Sequence, residues 1–272
     1  MFPGINGFHW TVGHVIFLGA FFTVLMVIGT TLVRAWLRTR KDLAANRVEA
    51  LRWAADFGDL SPSERACRHA MTETARGRVC NNRFDCRVCE THPKLAVLEA
   101  EREAGPVENE IFGLEFPADR LYHRGHTWAK AEPGGEVTVG LDALAERLAG
   151  KPDGVELPQP GERLVVNGTA WKMRKLGTEI RVLSPVEGEV LETGGPAAGW
   201  YLKIKPDSSA GDAHLLRGAE VRPWVMRELE RLQLAFAPTA SLADGGVLSE
   251  DLSKNVPRDE WELACGEMFL NP

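Results

Sequence analysis

Between Val12 and Val33 the chain reads VGHVIFLGAFFTVLMVIGTTLV, a run with no acidic or basic residue apart from His14. About 20 apolar residues is what a helix needs to cross a bilayer core. Trp10 and Trp36 bracket the run, and indole rings prefer the two membrane interfaces. One transmembrane helix is therefore expected over residues 11–36, with residues 1–10 outside. The rival reading is a cleaved secretory signal. That reading calls for a basic leading region, a shorter apolar run and small residues at a cleavage site, whereas MFPGINGFHW carries no Lys or Arg. Arg34, Arg38, Arg40 and Lys41 all follow the run, and cytoplasmic flanks carry the basic excess. The sequence thus predicts a single-pass protein of the cell inner membrane, N-terminus outside and soluble part cytoplasmic. His9 and His14 are candidate haem or quinone ligands, but with one helix and no second ligand pattern they read as interfacial polar residues.

Behind the anchor the chain is mixed. Its 38 acidic against 32 basic residues give a formal charge of -6, which speaks against a basic field for nucleic acid. A juxtamembrane helix is expected over residues 37–58, with Leu43, Val48, Leu51 and Ala55 on one face. Residues 59–105 read as a short helical cysteine-bearing segment. Its first helix is announced by Ser61-Pro62-Ser63-Glu64, a capping box expected to open a helix to about Arg76. A second short helix, PKLAVLEAERE, precedes a boundary at Gly105-Pro106. Residues 109–207 change to short alternating runs, TWAKAE, EVTVGL, ERLVVNG, TEIRVL, GEVLET and GWYLKIKP, which predict an antiparallel sandwich or barrel. One helix interrupts them, DALAERLAG, with Asp142 as N-cap and Gly150 as its stop. A helix follows over residues 215–236, with Val221, Val225, Leu229 and Leu232 as its stripe. A linker and docking tail close the chain at 237–272, where Trp261, Ala264 and Met268 recur at helical spacing. The fold class expected is α+β.

Cys67, Cys80, Cys86 and Cys89 are spaced C-x12-C-x5-C-x2-C, on the side of the membrane where thiols stay reduced. Two thiolates two residues apart, joined by two more from a loop and a preceding helix, make a closed shell for zinc or the ligand set of an iron-sulfur cluster. One metal centre is therefore expected, with His69 and His92 as spare ligands. Two disulfides or free thiols are the alternatives. Cys265 stands apart in the tail and reads as a small apolar side chain.

Four blocks, LYHRGHTWAKAEPGGEVTVGLDALAERL, VELPQPGERL, SPVEGEVLE and GWYLKIKP, resemble in order and spacing the glycine cleavage system H protein. The resemblance implies a lipoyl-type β sandwich over about a third of the chain; the anchor, the cysteines and the tail lie outside it. The whole is similar to membrane-attached, cysteine-containing bacterial H-like proteins. In that family a lysine at a hairpin tip, in an E-S-V-K-type motif, carries lipoate between partner enzymes. Counting eight back from Pro185 reaches Gly177 instead. WKMRKLGTEIRV reads as two strands joined by Lys175-Leu176-Gly177-Thr178, with Gly177 in a positive-φ turn position. Lys175 is thus a weak lipoyl candidate, with Lys172 beside it. It is expected as a solvent-facing lysine that, with Arg174 and Arg181, offers positive charge to an acidic partner. Lipoate itself is not expected.

No catalytic constellation assembles. His123, His126 and His214 have no nucleophile at a recognisable spacing, His126 with Trp128 reads as structural, and Gly134-Gly135 and Gly245-Gly246 read as turns. The reading is a non-enzymatic, membrane-anchored accessory subunit. Its H-like domain docks on the cytoplasmic face of a larger membrane assembly, such as a respiratory or electron-transfer complex. The alternatives are an iron-sulfur electron-transfer subunit built on the four cysteines and a lipoyl carrier of a glycine cleavage-type system. The partners expected are the bilayer and other subunits of a membrane complex, with no nucleic acid.

Overall fold

The computed structural model describes residues 9–44, 47–100, 109–207, 211–236, 243–244 and 247–270. The expected external stretch before His9, the Gly105-Pro106 boundary, the linker at 237–242 and the Gly245-Gly246 pair lie outside the described residues. The chain divides into two units, Met1–Val48 and Glu49–Pro272.

In the first unit the apolar run forms helix α1 (Val12–Ala44), which outlasts the run because no Gly or Pro follows it to stop the helix. Its threonines turn inward on their own backbone. Thr23 Oγ1 donates to the Gly19 carbonyl at 2.7 Å, Thr30 to Val27 at 2.9 Å and Thr31 to Ile28 at 2.8 Å, so these hydroxyls need no water. At the start, Thr11 Oγ1 lies 2.7 Å from His14 Nδ1, which occupies that ring nitrogen locally. The helix carries a mean hydropathy of 2.3 in its most apolar window, with none of that window buried. Length and composition suit a membrane span, and a signal sequence meets the same description.

Helix α2 (Arg47–Asp59) runs from the last residues of the first unit into the second, where it buries Trp53 and Phe57. The expected face differs: Leu51 is 72% exposed and Ala55 is exposed as well. The two rings carry the larger apolar area, and Phe84 is there to meet them, 5.1 Å from Phe57 and 6.3 Å from Trp53 between ring centroids. Leu60, Leu183 and Leu270 complete this smaller core.

The cysteine-bearing segment is far less helical than expected. The capping box does form: Glu64 Oε2 accepts the Ser61 N–H at 2.6 Å and Ser61 Oγ accepts the Glu64 N–H at 3.3 Å. It caps a turn only. An antiparallel bridge between Ala66 and Val79 takes the backbone away from the helix, through Cys67 N–H to the Arg78 carbonyl at 2.8 Å and Cys80 N–H to the Arg65 carbonyl at 2.6 Å. What remains is a single turn, α3 (Arg68–Met71), a 3-10 turn at Cys86–Val88 and helix α4 (His92–Ala100).

Strands β1 (Glu110–Ile111) and β2 (Leu114–Glu115) make a small ladder. Then follow β3 (Leu121–Tyr122), β4 (Thr127–Ala131), β5 (Val137–Leu141), helix α5 (Ala143–Ala149), β6 (Gly154–Glu156), β7 (Arg163–Leu164), β8 (Thr169–Lys175), β9 (Thr178–Leu183), β10 (Gly188–Gly195) and β11 (Trp200–Pro206). Among the described residues the sheet order is β3-β4-β5-β11-β10-β7, with a second sheet β6-β8-β9. The two curl around one core, in which Trp171 of β8 stacks on Tyr201 of β11 with centroids 4.6 Å apart. Helices α6 (Val221–Ala235) and α7 (Arg258–Met268) belong to that same core. The expected docking tail therefore has its partner within the chain: Trp261, Ala264 and Met268 are buried, and Trp261 Nε1 donates to the Leu148 carbonyl at 2.8 Å.

Candidate functional site

Hairpin β8–β9 closes with Lys175 opposite Thr178, leaving Leu176 and Gly177 as the two turn residues at φ 53° and 83°. Two positive φ values define the tight turn that matches strand twist, and glycine takes its place at the second position without strain. Leucine does not. Leu176 is held there by its N–H, which the Asp153 carboxylate accepts at 2.8 Å. Gly177 thus occupies the tip, where the resemblance places the lipoyl lysine.

Lys175 does not face solvent as expected. It is 7% exposed, with Nζ donating to the Lys151 carbonyl at 2.8 Å and to Asp251 Oδ2 at 3.1 Å. A buried ammonium is tolerated only when paired and hydrogen-bonded, and this one is both. Gly150 makes room for the pair: a Cβ there would lie 2.3 Å from the Asp251 carboxyl carbon. Burial pushes the Asp251 carboxyl up, but bonds from Ser253, Lys175 and Lys254 outweigh it and hold the carboxyl below its ordinary range. Lys172 is half-buried and pairs with Glu179 at 2.8 Å. Helix α7 closes over the hairpin, with Glu262 accepting from Thr178 at 2.5 Å. The expected positive surface is also corrected, since Arg181 is 5% exposed and bonded to Asp56, which leaves Arg174 as its exposed member.

The histidines of the sheet mouth are structural. His126 is fully buried at φ 62°, stacked on Trp224 at 5.0 Å. Burial by itself would keep the ring neutral, but Asp142 at 2.8 Å from Nδ1 and Glu228 at 3.9 Å from Nε2 push it up to about 9. The other Asp142 oxygen accepts the Ala145 N–H at 2.8 Å, so one aspartate both caps α5 and orients the imidazole. His123 is the opposite case. Its Nδ1 accepts the Gly125 N–H at 3.1 Å and its Nε2 lies 2.9 Å from Asn167 Oδ1, which fixes the neutral tautomer, and burial pushes it down to about 3. His214 Nε2 donates to the Pro185 carbonyl at 2.7 Å.

The cysteine segment is the other site. Cys67, Cys80, Cys86 and Cys89 all line one cavity of about 260 Å³, with His69 and His92 at its wall. None of the four is in a disulfide, and each is half-buried. Among the described residues no three His, Cys, Asp or Glu side chains converge at single-ion spacing. His69 Nε2 lies 2.9 Å from His92 Nδ1, and its Nδ1 lies 2.8 Å from Glu99. Burial pushes the Cys86 thiol up to about 11, against the pull of Arg68. Cys265 is buried in the main core, where desolvation pushes its thiol far up, in keeping with an apolar role.

Asp251, Glu228 and Arg68 escape sequence reasoning. Each is one charged residue without a motif, made important by a partner distant in the chain, such as Glu220 for Arg68.

No family model matches the chain. Comparison with curated proteins finds the glycine cleavage system H protein of Neisseria gonorrhoeae, 30% identical over 117 residues, which span 38% of this chain and 88% of that protein. The glycine cleavage system H protein 2 of Pseudomonas syringae pv. tomato is 32% identical over 117 residues, 38% of this chain and 91% of that one. The H protein of Chromobacterium violaceum is 35% identical over 108 residues, 35% of this chain and 84% of that one. Among solved structures, a glycine cleavage system H protein from Mycobacterium marinum aligns at 25% identity and a TM-score of 0.34, covering 39% of this chain and 94% of that one. With nearly the whole length of such relatives contained in it, the chain belongs to the glycine cleavage system H protein family.

Proposed function

We propose that this protein is a non-catalytic, membrane-anchored accessory subunit in which the H-like domain is a fixed docking module without lipoate. The observation that carries the reading is the hairpin: glycine at its tip, and a nearby lysine that is 7% exposed and bonded to a carbonyl and a carboxylate. A carrier needs an amine that a ligase reaches and that then swings freely. Extracting Lys175 would break a buried pair, a cost of roughly 3–5 kcal/mol when one partner is left behind. Helix α1 supplies the anchor, with the soluble unit on the cytoplasmic side by its basic flank. A larger membrane assembly, of the respiratory or electron-transfer kind, is the host that a one-helix subunit of this design suits.

The full chain, produced in a lipoate-competent host, tests this by intact mass and peptide mapping. Unmodified Lys172 and Lys175 are expected. A lipoyl adduct on either lysine overturns the reading and restores the carrier. Mild-detergent purification at native expression should recover other membrane subunits in fixed proportion, and recovery of the chain alone refutes the docking role.

A further inference from the structure

Nothing in the H-like domain requires four half-buried thiols around a common cavity. We propose that Cys67, Cys80, Cys86 and Cys89 hold a thiolate-bound iron-sulfur cluster, rather than one zinc ion or two disulfides.

Two local devices bring the thiols together. Cys67 and Cys80 flank the Ala66–Val79 bridge on its two opposing segments, each donating its N–H across the pair, so they are diagonal neighbours on one face. Such neighbours stand about 7–8 Å apart at Cα, wider than the roughly 4.4–6.8 Å a disulfide spans. Cys86 and Cys89 stand at the two ends of one 3-10 turn, closed by the Cys89 N–H on the Cys86 carbonyl at 3.3 Å. The Asp85 carboxylate caps that turn, accepting the Arg87 N–H at 3.1 Å.

The spacing selects the occupant. Zinc binds each sulfur at about 2.3 Å, which draws four thiolates to within about 4 Å of one another. Among the described residues no three His, Cys, Asp or Glu side chains are placed to hold a single ion, while all four cysteines line one cavity of about 260 Å³. A cluster fills the middle with its own iron and sulfide and takes its four thiolates from further apart. The two imidazoles at the wall face each other, His69 Nε2 lying 2.9 Å from His92 Nδ1.

Charge agrees. Four thiolates on an iron-sulfur core are net negative, and an anion in a half-buried site needs fixed positive charge nearby. Arg68, 7% exposed and bonded to Glu220 and the Ala213 carbonyl, also reaches the Cys86 thiol. Arg124, 6% exposed, donates to the Ala66 carbonyl, lies over the Phe84 ring at 4.1 Å and interacts with Cys67 and Cys80. Both guanidinium groups are therefore held beside the thiols by bonds that do not involve them. The cluster belongs to this segment whether or not the hairpin carries lipoate, so the two proposals fail separately.

The full chain in detergent, purified anaerobically and then reconstituted with ferric iron, sulfide and excess dithiol as the reductant, tests the proposal. Expected are iron and acid-labile sulfide in equal amounts, broad visible absorption, and a paramagnetic signal on reduction with dithionite. Cys→Ser at any of Cys67, Cys80, Cys86 or Cys89 should remove most of the bound iron, while Cys265→Ala keeps it. One zinc per chain without sulfide, disulfides in the anaerobic protein, or four titratable thiols after reconstitution each overturn the proposal. These analyses are made on the wild-type chain, so they hold even if a serine variant fails to fold.

Discussion

At the β8–β9 hairpin the amine of Lys175 is committed to a carbonyl and a carboxylate and shut under the C-terminal segment. In the cysteine segment four thiols stand half-buried around a shared cavity. The family relation concerns the first region, and there the lysine nearest the hairpin tip is buried and paired. The second region gathers four thiols of which Cys80 also packs against the smaller core. Family likeness and local chemistry thus point to different parts of the molecule: a shared fold says what the domain looks like, while the local environment of each side chain says what it is free to do.

The sharpest way to break this contrast is to strip Lys175 of its partner. Asp251→Ala should cost about 3–5 kcal/mol, because it leaves a buried ammonium with one carbonyl; chemical denaturation of the full chain measures it. Lys175→Met should cost much less, since the aspartate keeps Ser253 and Lys254. If the two losses are equal, the pair is not what holds the hairpin shut.

Alkaline pH gives the next largest effect. His126 is raised from 6.5 to about 9, so its contribution to stability is fully present below pH 6.5 and is lost as pH rises through about 9. A thermal-unfolding series from pH 6 to 10 should fall across that window, and Asp142→Asn should flatten the fall. At the acid end, Glu228 is lowered to about 2 from 4.5: burial opposes ionisation, and His126, Arg231 and Arg124 overcome it. Its contribution is present above pH 4.5 and is lost as pH falls toward 2.

Trp261→Phe sharpens the comparison on the closed side. It keeps an aromatic group but a smaller one and removes the donor to the Leu148 carbonyl, a loss of about 1–3 kcal/mol. The smallest stability effect belongs to the cysteine segment in the metal-free protein. Ser at Cys89 should shift stability by only about 0.5 kcal/mol, because the thiol is half-buried and contacts little besides Thr91. Thiol labelling of metal-free native protein should reach Cys67, Cys80, Cys86 and Cys89 well before Cys265, which should react only on unfolding. Equal labelling rates would erase the contrast.

Much of the H-like domain was legible beforehand. Each of the six β runs contains an observed strand, the helix begins after Asp142 and stops at Gly150, and the hairpin turns at Leu176-Gly177. These signals are local: alternation, a cap, a turn glycine. The helix expected from Ser61 illustrates the limit, for its capping box forms while the helix does not continue. A cap sets only the first turn, and the bridge to Val79 decided what followed.

By itself the sequence determined the long apolar helix, the order of the strands and the clustering of four cysteines, because hydropathy, period and spacing are properties of neighbouring residues. Only the tertiary structure decided which charges are buried, which face of α2 is covered, that the C-terminal helix packs on its own domain, and that Lys175 is a structural lysine. The physical reason is the same in each case. Desolvation and pairing depend on groups such as Asp251, Phe84 and Leu148, which lie far away in the chain and meet these residues only once it has folded.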